Sequence, residues 1–179
     1  MKSMPVTPPS DNRIGQLIDA NLDRAREGLR VMEDWCRFGL KRSDFSIQIK
    51  DWRQTLGLHH SDIYRKARLT SSDPAMGISH PLQKARSTPE EVFIANSSRV
   101  QEALRVIEEF TRITDPKLCE IATKIRYETY EIEINVLSAT EGIKKRQILK
   151  DSYLYLITTN TVDLENIVIQ ALKAGVKLI

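Results

Sequence analysis

Apolar residues recur at three- and four-residue intervals through most of this chain, and that spacing predicts helices. Between Asn12 and about Gly39, Leu22, Ala25, Leu29, Met32 and Cys36 form one stripe. Asp11 or Asn12 is placed to cap its start and Gly39 to end it. Ser43-Asp44 reads as the next N-cap, opening a helix through Ile47, Ile49, Trp52 and Leu56 to Gly57. "STPEE" restarts a helix with Ser87 or Thr88 as cap and Pro89 near its first position, running to about Arg112. "TDPKL" stops that helix and starts another, from Pro116 to about Ala139.

Two of these helices repeat each other. "ANLDRAREGLRVMED", Ala20 to Asp34, returns as "ANSSRVQEALRVIEE", Ala95 to Glu109. The offset is constant, carrying Asn21 to Asn96, Arg24 to Arg99, Glu27 to Glu102 and Arg30 to Arg105. Each copy is the first helix of a helical hairpin, in repeat units 13–57 and 89–139 joined by a connector, 58–88. Two hairpins burying their stripes together predict a pseudo-symmetric helical bundle over residues 12–140. At ~100° per residue from Ala20, Arg24 falls near 40°, Glu27 near 340° and Val31 near 20°, across the helix from the apolar stripe. Arg24 and Glu27 therefore share a face with Val31, Trp35 and Phe38, and Arg99 and Glu102 lie beside Val106 and Phe110. Apolar residues on that face predict protein contact on both sides of each helix, with the charges partly buried between. A buried charge has to be paired. Two readings follow. Arg24–Glu27 and Arg99–Glu102 are structural ion pairs, or Asn21, Arg24, Asn96 and Arg99 surround a cleft at the pseudo-two-fold where guanidinium forks hold phosphate. Periodicity does not choose between them.

The tail changes character. "EGIKKRQILK" reads as a charged linker over 141–151, either helical or irregular. Tyr153 to Ile157 form a short apolar run of the buried-strand type, Val162 to Ala174 an amphipathic helix, and "VKLI" a second apolar run. Residues 152–179 thus predict a truncated βαβ unit, cut inside a second domain.

Composition narrows the classes. A chain of 179 residues, 41% hydrophobic and 28% charged, is of ordinary globular type. Residues 1–11 lack an apolar signal core and read as a disordered leader, and nothing approaches the ~20 apolar residues of a membrane span. A cytoplasmic location with no membrane partner is the expectation. Cys36 and Cys119 make no disulfide framework and, like Trp35, Trp52, Phe110 and Tyr127, read as packing residues. A net charge of +3 is too small to argue for nucleic acid. The charge is uneven, however: from Arg53 to Arg86 six basic residues face only Asp62 and Asp73, and all three histidines lie there. That stretch is either a site for a small anion or a solvated loop. His59, His60 and His80 lack a zinc spacing, and no glycine-rich phosphate loop is present.

Together "LDRAREGLRVMEDWCRFGL", "RQTLG", "YRKARLTSSDP", "SHP", "NSSRVQEALRVIEEFTR" and "KIRYETYEIE" resemble the N-terminal domain fused to some bacterial thiamine phosphate synthases. That domain is similar to the small hydroxymethylpyrimidine phosphate kinases. "LYLITTN…ALKAGVKLI" is similar to the start of the synthase (β/α)₈ barrel, so the resemblance implies a mainly α domain followed by a truncated barrel start. It implies a transferase of thiamine biosynthesis that makes the pyrimidine diphosphate from the monophosphate with ATP and Mg²⁺. Carried over by position, Arg24, Arg99 and Asp73 would be catalytic. Asn21, Asn96, Arg53, Arg68, Arg86 and Arg126 would bind substrate phosphates, and Glu27, Glu102 and Asp73 would hold Mg²⁺. One departure stands out: where the family has glycine soon after the aspartate, this chain has Ala75-Met76, with Gly77 later. The alternative is a non-catalytic helical module that binds a phosphorylated pyrimidine, or forms a homodimer and positions the synthase.

Overall fold

The computed structural model describes residues 12–68, 86–152, 156–160 and 162–176. The predicted leader, 1–11, and most of the connector lie outside the described residues. The elements are α1 (Asn12–Asp34) with a π-helical turn at Trp35–Gly39, α2 (Ser43–His59), α3 (Asp62–Lys66), α4 (Pro89–Thr111), α5 (Pro116–Lys150) and α6 (Leu164–Lys173). They fall into two units, Met1–Val136 and Leu137–Ile179.

Local chemistry explains the helix ends. Thr88 Oγ1 caps α4 by accepting from Glu91 N at 3.2 Å, while Glu91 Oε2 reaches back to accept from Ser87 N, one residue before the cap, at 2.6 Å, with Pro89 in the first turn. Asp115 Oδ1 accepts from Leu118 N at 3.1 Å and starts α5 ahead of Pro116. Gly39 does not end α1 as its sequence position predicts. It sits inside the π turn, where a Cβ would lie 2.3 Å from the Trp35 ring, so only glycine lets that ring lie against the backbone. The chain turns instead at Lys41, which takes the left-handed conformation with φ 55°. α2 starts at Ser43 with Arg42 before it, and the bidentate Arg42–Asp44 pair holds the Asp44 carboxyl down to about 2.

The predicted stripe is the core. Leu22, Ala25, Leu29, Met32 and Cys36 are fully buried, joined by Ile49, Leu56, Val100, Leu104, Ile107, Leu118, Ile125 and Ile132. Burial, with the nearby Asp44 charge, pushes the Cys36 thiol up to about 12, so it is inert packing. α1 touches α2, α3 and α4. Gly28 meets Asn96 and Val100, and the 31–39 end of α1 faces the 86–93 start of α4, so the two repeat helices cross antiparallel. With a constant offset between the copies, that crossing makes them a pseudo-dyad, in which Ala103 occupies the place equivalent to Gly28 and Ala25 that of Val100.

Three expectations need correction. First, no strand is present among the described residues: residues 156–160 have no regular structure, so the truncated βαβ barrel start is not seen. Among the described residues nothing pairs with 156–160, and a strand without a ladder does not form. The helix of that stretch does form, as α6, without a buried residue. The rest of the two apolar runs, 153–155 and 177–179, lies outside the described residues. Second, α5 continues to Lys150 instead of stopping near Ala139, and takes the charged stretch 141–150 with it. No proline or glycine pair interrupts it, and its lysines, arginine and glutamine are good helix formers. Third, Phe110 and Tyr127 are exposed surface residues, not packing ones.

The close approach at Gly28 makes a test. A Cβ there would sit 2.7 Å from Val100 Cγ2 and 3.1 Å from the Asn96 carbonyl. Gly28→Ala should destabilise despite the better helix propensity of alanine, by ~1–3 kcal/mol of overpacking. Gly28→Ala with Val100→Ala, which copies the Ala103/Ala25 arrangement, should be more stable than the sum of the two single changes; urea unfolding of all three variants measures this.

Candidate functional site

The repeat carries two buried carboxylates, and they are not the ones the helical wheel singles out. Glu33 and Glu108, equivalent positions of the two copies, are 2% and 6% exposed. Arg53 Nε of α2 donates to Glu33 Oε2 at 2.9 Å. In the second copy Arg126 of α5 donates Nε and Nη2 to Glu108 Oε2 at 3.1 and 3.0 Å, and Arg105 and Arg112 bind Oε1 at 2.9 and 3.2 Å. Each hairpin is thus clasped by a buried glutamate on its first helix and an arginine on its second. Arg126, one of the substrate-phosphate residues implied by the resemblance, is here 9% exposed and paired with Glu108.

The other repeated polar residues divide. Asn21 and Asn96 are buried and donate to the carbonyls of Leu17 and Val92, both at 2.8 Å. These bonds belong to their own helices. Arg24, Glu27, Arg99 and Glu102 are exposed, against the expectation of partial burial, and no ion pair joins Arg24 to Glu27 or Arg99 to Glu102 among the described residues. The apolar residues beside them do not imply a covering layer: Val31 and Phe38 are themselves exposed.

A polar constellation occurs in the first copy alone. Asp19, 3% exposed, binds His60 Nε2 through Oδ1 at 2.7 Å and accepts from Arg68 Nε on Oδ2 at 2.7 Å. Arg68 Nη2 reaches Asp19 Oδ1 at 3.0 Å and also donates to Asp23. His60 Nδ1 faces Asp23 Oδ1 at 3.6 Å, too far for a hydrogen bond. Burial by itself raises the Asp19 pKa, but the hydrogen bonds from Arg68 and His60 outweigh it and hold the carboxyl below 3.8. In the second copy the positions of Asp19, Asp23 and Arg26 are Ile94, Ser98 and Gln101, so this cluster has no counterpart there.

Asp23 leads from that cluster into a cleft of about 330 Å³ lined by Asp23, Arg26, Glu27, Arg30 and Arg53. Arg30 is held by Asp34, Nε to Oδ2 at 3.1 Å, and Arg53 by Glu33. Arg26 is looser: among the described residues its nearest carboxylate is Asp23 at 3.6 Å, and its Nε has no partner. Three guanidiniums, two of them held in place by carboxylates, are suited to bidentate phosphate recognition. Of the residues singled out from sequence, the cleft brings together Glu27 and Arg53, and Arg68 stands one step away across Asp23. Arg86 lies elsewhere, in a groove at the start of α4. Asp73 is outside the described residues. Sequence reasoning missed Asp19, Asp23, Arg26, Arg30 and His60; the i,i+4 spacing of Asp19, Asp23 and Glu27 on one helix was the available signal. Among the described residues no group of three or more His, Cys, Asp or Glu is arranged to hold a metal ion, and no helix is long and apolar enough to cross a membrane.

The model of the ThiD2 family matches residues 16–135, which is most of the helical unit and well over half of the chain. This chain belongs to the ThiD2 family. The ThiD2 match spans both repeat copies, from α1 into α5, and the connector. Over its full length the chain is 55% identical to a thiamine-phosphate synthase of Prochlorococcus marinus strain MIT 9303, covering 52% of that protein. It is 51% identical to the thiamine-phosphate synthase of Synechococcus sp. strain CC9605, again over its full length and 51% of the relative. The chain spans about half the length of the curated relatives it matches. No solved structure matches it significantly.

Asp19 gives this ThiD2 chain an acid-sensitive contribution to stability. Its folded pKa lies below 3.8, so between the two values the unfolded chain binds more protons. The contribution is full above about pH 4 and is lost as pH falls through the folded value. Asp19→Asn should lower the melting temperature at neutral pH and flatten the acid limb of melting temperature against pH. The limb should persist in part, because Asp44 titrates in the same range. An unchanged limb would remove Asp19 as its source.

Proposed function

We propose that the helical unit serves thiamine biosynthesis by phosphorylating hydroxymethylpyrimidine phosphate to the diphosphate with ATP. The relatives named thiamine-phosphate synthases support the pathway, and a diphosphate-forming step placed beside a synthase that consumes it is chemically coherent. The observation that carries the reading is the α1–α2 cleft, where Arg26, Arg30 and Arg53 converge beside the exposed carboxylate Glu27.

In this reaction a phosphate oxygen of the substrate attacks the γ-phosphorus of ATP, the bond to ADP breaks, and a new P–O–P linkage forms. The nucleophile is already ionised, so no strong general base is required. The demand is for fixed positive charge around the transferred group. Arg30 and Arg53 meet it because Asp34 and Glu33 hold them in place. Arg26, whose Nε is unpartnered among the described residues, is the guanidinium able to close on a phosphate. Arg24 and Arg99, exposed on the outer faces of α1 and α4, do not line the cleft and act on incoming anions only at long range. Magnesium is usually held by one or two carboxylates and the substrate phosphates, and Glu27 would take it here, where it neutralises phosphate charge. Glu102 is the equivalent exposed carboxylate of the second copy. Arg68, held by Asp19, donates to Asp23 and positions it at the cleft's edge.

The whole chain supplied with ATP, Mg²⁺ and hydroxymethylpyrimidine phosphate should release ADP and the diphosphate in equal amounts, separable by ion-exchange chromatography. Arg26→Ala should keep the fold and lower kcat/KM roughly 10- to 150-fold, the effect of one charge-assisted contact. A larger loss in Arg24→Ala and Arg99→Ala than in Arg26→Ala would move the site to the outer faces of the helix pair. Absence of ADP formation by the folded wild-type chain would end the kinase reading.

Arg126 separates structure from chemistry. Arg126→Ala leaves the buried Glu108 Oε2 without its donors, while Arg105 and Arg112 still hold Oε1, and should cost ~1–3 kcal/mol of stability in thermal or urea melts. Adding Glu108→Leu should restore much of that, a rescue that a substrate-binding role for Arg126 does not predict.

A further inference from the structure

The cleft accounts for phosphates and leaves unassigned a larger groove at the other end of α1. The groove has a volume of about 730 Å³, within the range of small-molecule sites, and is walled by Val31, Trp35 and Phe38 on one side and Arg86, Val92 and Phe93 on the other. Its first wall is built by the π turn. That turn sets Trp35 against Gly39 and leaves Phe38 65% exposed. Single π turns inside helices are frequent at functional sites. Arg86 has no ion pair among the described residues. Among the described residues, two adjacent wall residues carry polar atoms without a partner, Asp34 Oδ1 and Trp35 Nε1, an acceptor and a donor. Orphaned polar atoms in a native protein call for an explanation, and a bound partner is one.

Resting on the kinase reading, we infer that this groove is the nucleoside site: it takes the heteroaromatic base and sugar of the nucleoside triphosphate, whose phosphates run back to the arginine cleft. Asp34 makes the link. It lines the groove and accepts from Arg30, which lines the cleft, so the apolar groove and the charged cleft meet at one hydrogen bond of 3.1 Å. The base stacks on Phe38, an interaction open to any planar ring, and meets the Trp35 indole at its Nε1 edge. A heterocycle brings both ring nitrogens and exocyclic amines, the chemistry that Trp35 Nε1 and Asp34 Oδ1 lack. Arg86 stands at the groove as a cation for the sugar–phosphate end. Size separates the two ligands: the groove, at about 730 Å³, suits the nucleoside, and the cleft, at about 330 Å³, suits the smaller phosphorylated acceptor. The N-terminus of α4 contributes nothing to the argument, since the Thr88 cap already uses Glu91 N and its first turn carries Glu90 and Glu91.

Trp35 and Trp52 are the two tryptophans, and Trp52 is in the core. Trp52→Phe in the full chain therefore leaves Trp35 as the sole indole reporter. ATP with Mg²⁺ and adenosine alone should each change its fluorescence saturably; tripolyphosphate and unphosphorylated hydroxymethylpyrimidine should not. Phe38→Ala, at an exposed position that spares the core, should weaken ATP and adenosine binding roughly 5- to 150-fold and leave tripolyphosphate affinity, followed by calorimetry, unchanged. Turnover with no Trp35 response to ATP or adenosine overturns the groove assignment and leaves the kinase reading standing. A response to hydroxymethylpyrimidine instead of adenosine overturns it too, by giving the groove to the acceptor. Saturable adenosine binding lost in Phe38→Ala, without any ADP formed, supports the groove and removes the kinase.

Discussion

The near contact of α1 and α4 at Gly28 governs the rest of the unit. Because Gly28 has no side chain, the Asn96 carbonyl and the Val100 methyl come within reach of its Cα. The two repeat helices then cross closely enough for their apolar stripes to form one core, with the second helix of each hairpin packed outside. Asn21 and Asn96 are buried beside this crossing, and their side chains are satisfied by carbonyls one turn back on their own helices. A polar residue can therefore sit at the helix pair without requiring a partner from the other copy.

The buried glutamates follow from the same geometry. Once α1 and α4 are central, Glu33 and Glu108 lie beneath α2 and α5, away from solvent, and each must meet a cation from the helix above it. Arg53 and Arg126 supply that charge from positions that are not equivalent under the repeat. The duplication is thus close on the central helices and approximate on the outer ones. Where the copies differ, the first carries acids and bases that the second lacks. Asp19, Asp23 and Arg26 correspond to Ile94, Ser98 and Gln101, so a symmetric scaffold carries an asymmetric polar face. That asymmetry, more than any single residue, favours the α1–α2 side for the candidate chemistry.

Arginines in this unit divide by what holds them. Arg126 is buried against Glu108 and serves the fold. Arg30 and Arg53 are each tied to a carboxylate yet still line open space, so their guanidiniums are oriented before any ligand arrives. Arg24, Arg86 and Arg99 are free of ion pairs among the described residues. A charge already oriented loses little freedom when a phosphate arrives, while a free one loses side-chain entropy on binding. The first kind suits a transition state and the second suits recognition.

Most of the helical frame was legible from residue spacing. The stripe from Leu22 to Cys36, the Thr88–Pro89 and Asp115–Pro116 starts and the internal repeat are local, and local patterns determine local hydrogen bonding. The sequence by itself determined where helices begin and which stripe they bury. It could not determine which other face stays open. Helical periodicity assigns Arg24, Glu27, Val31 and Phe38 to one side of α1, but the covering of that side depends on how α4 crosses. A glycine whose counterpart in the other copy is an alanine decides that crossing. Nor could spacing bring His60 and Arg68 to Asp19 from a different helix and the connector. Those outcomes rest on contacts between segments far apart in the chain, and only tertiary structure makes them.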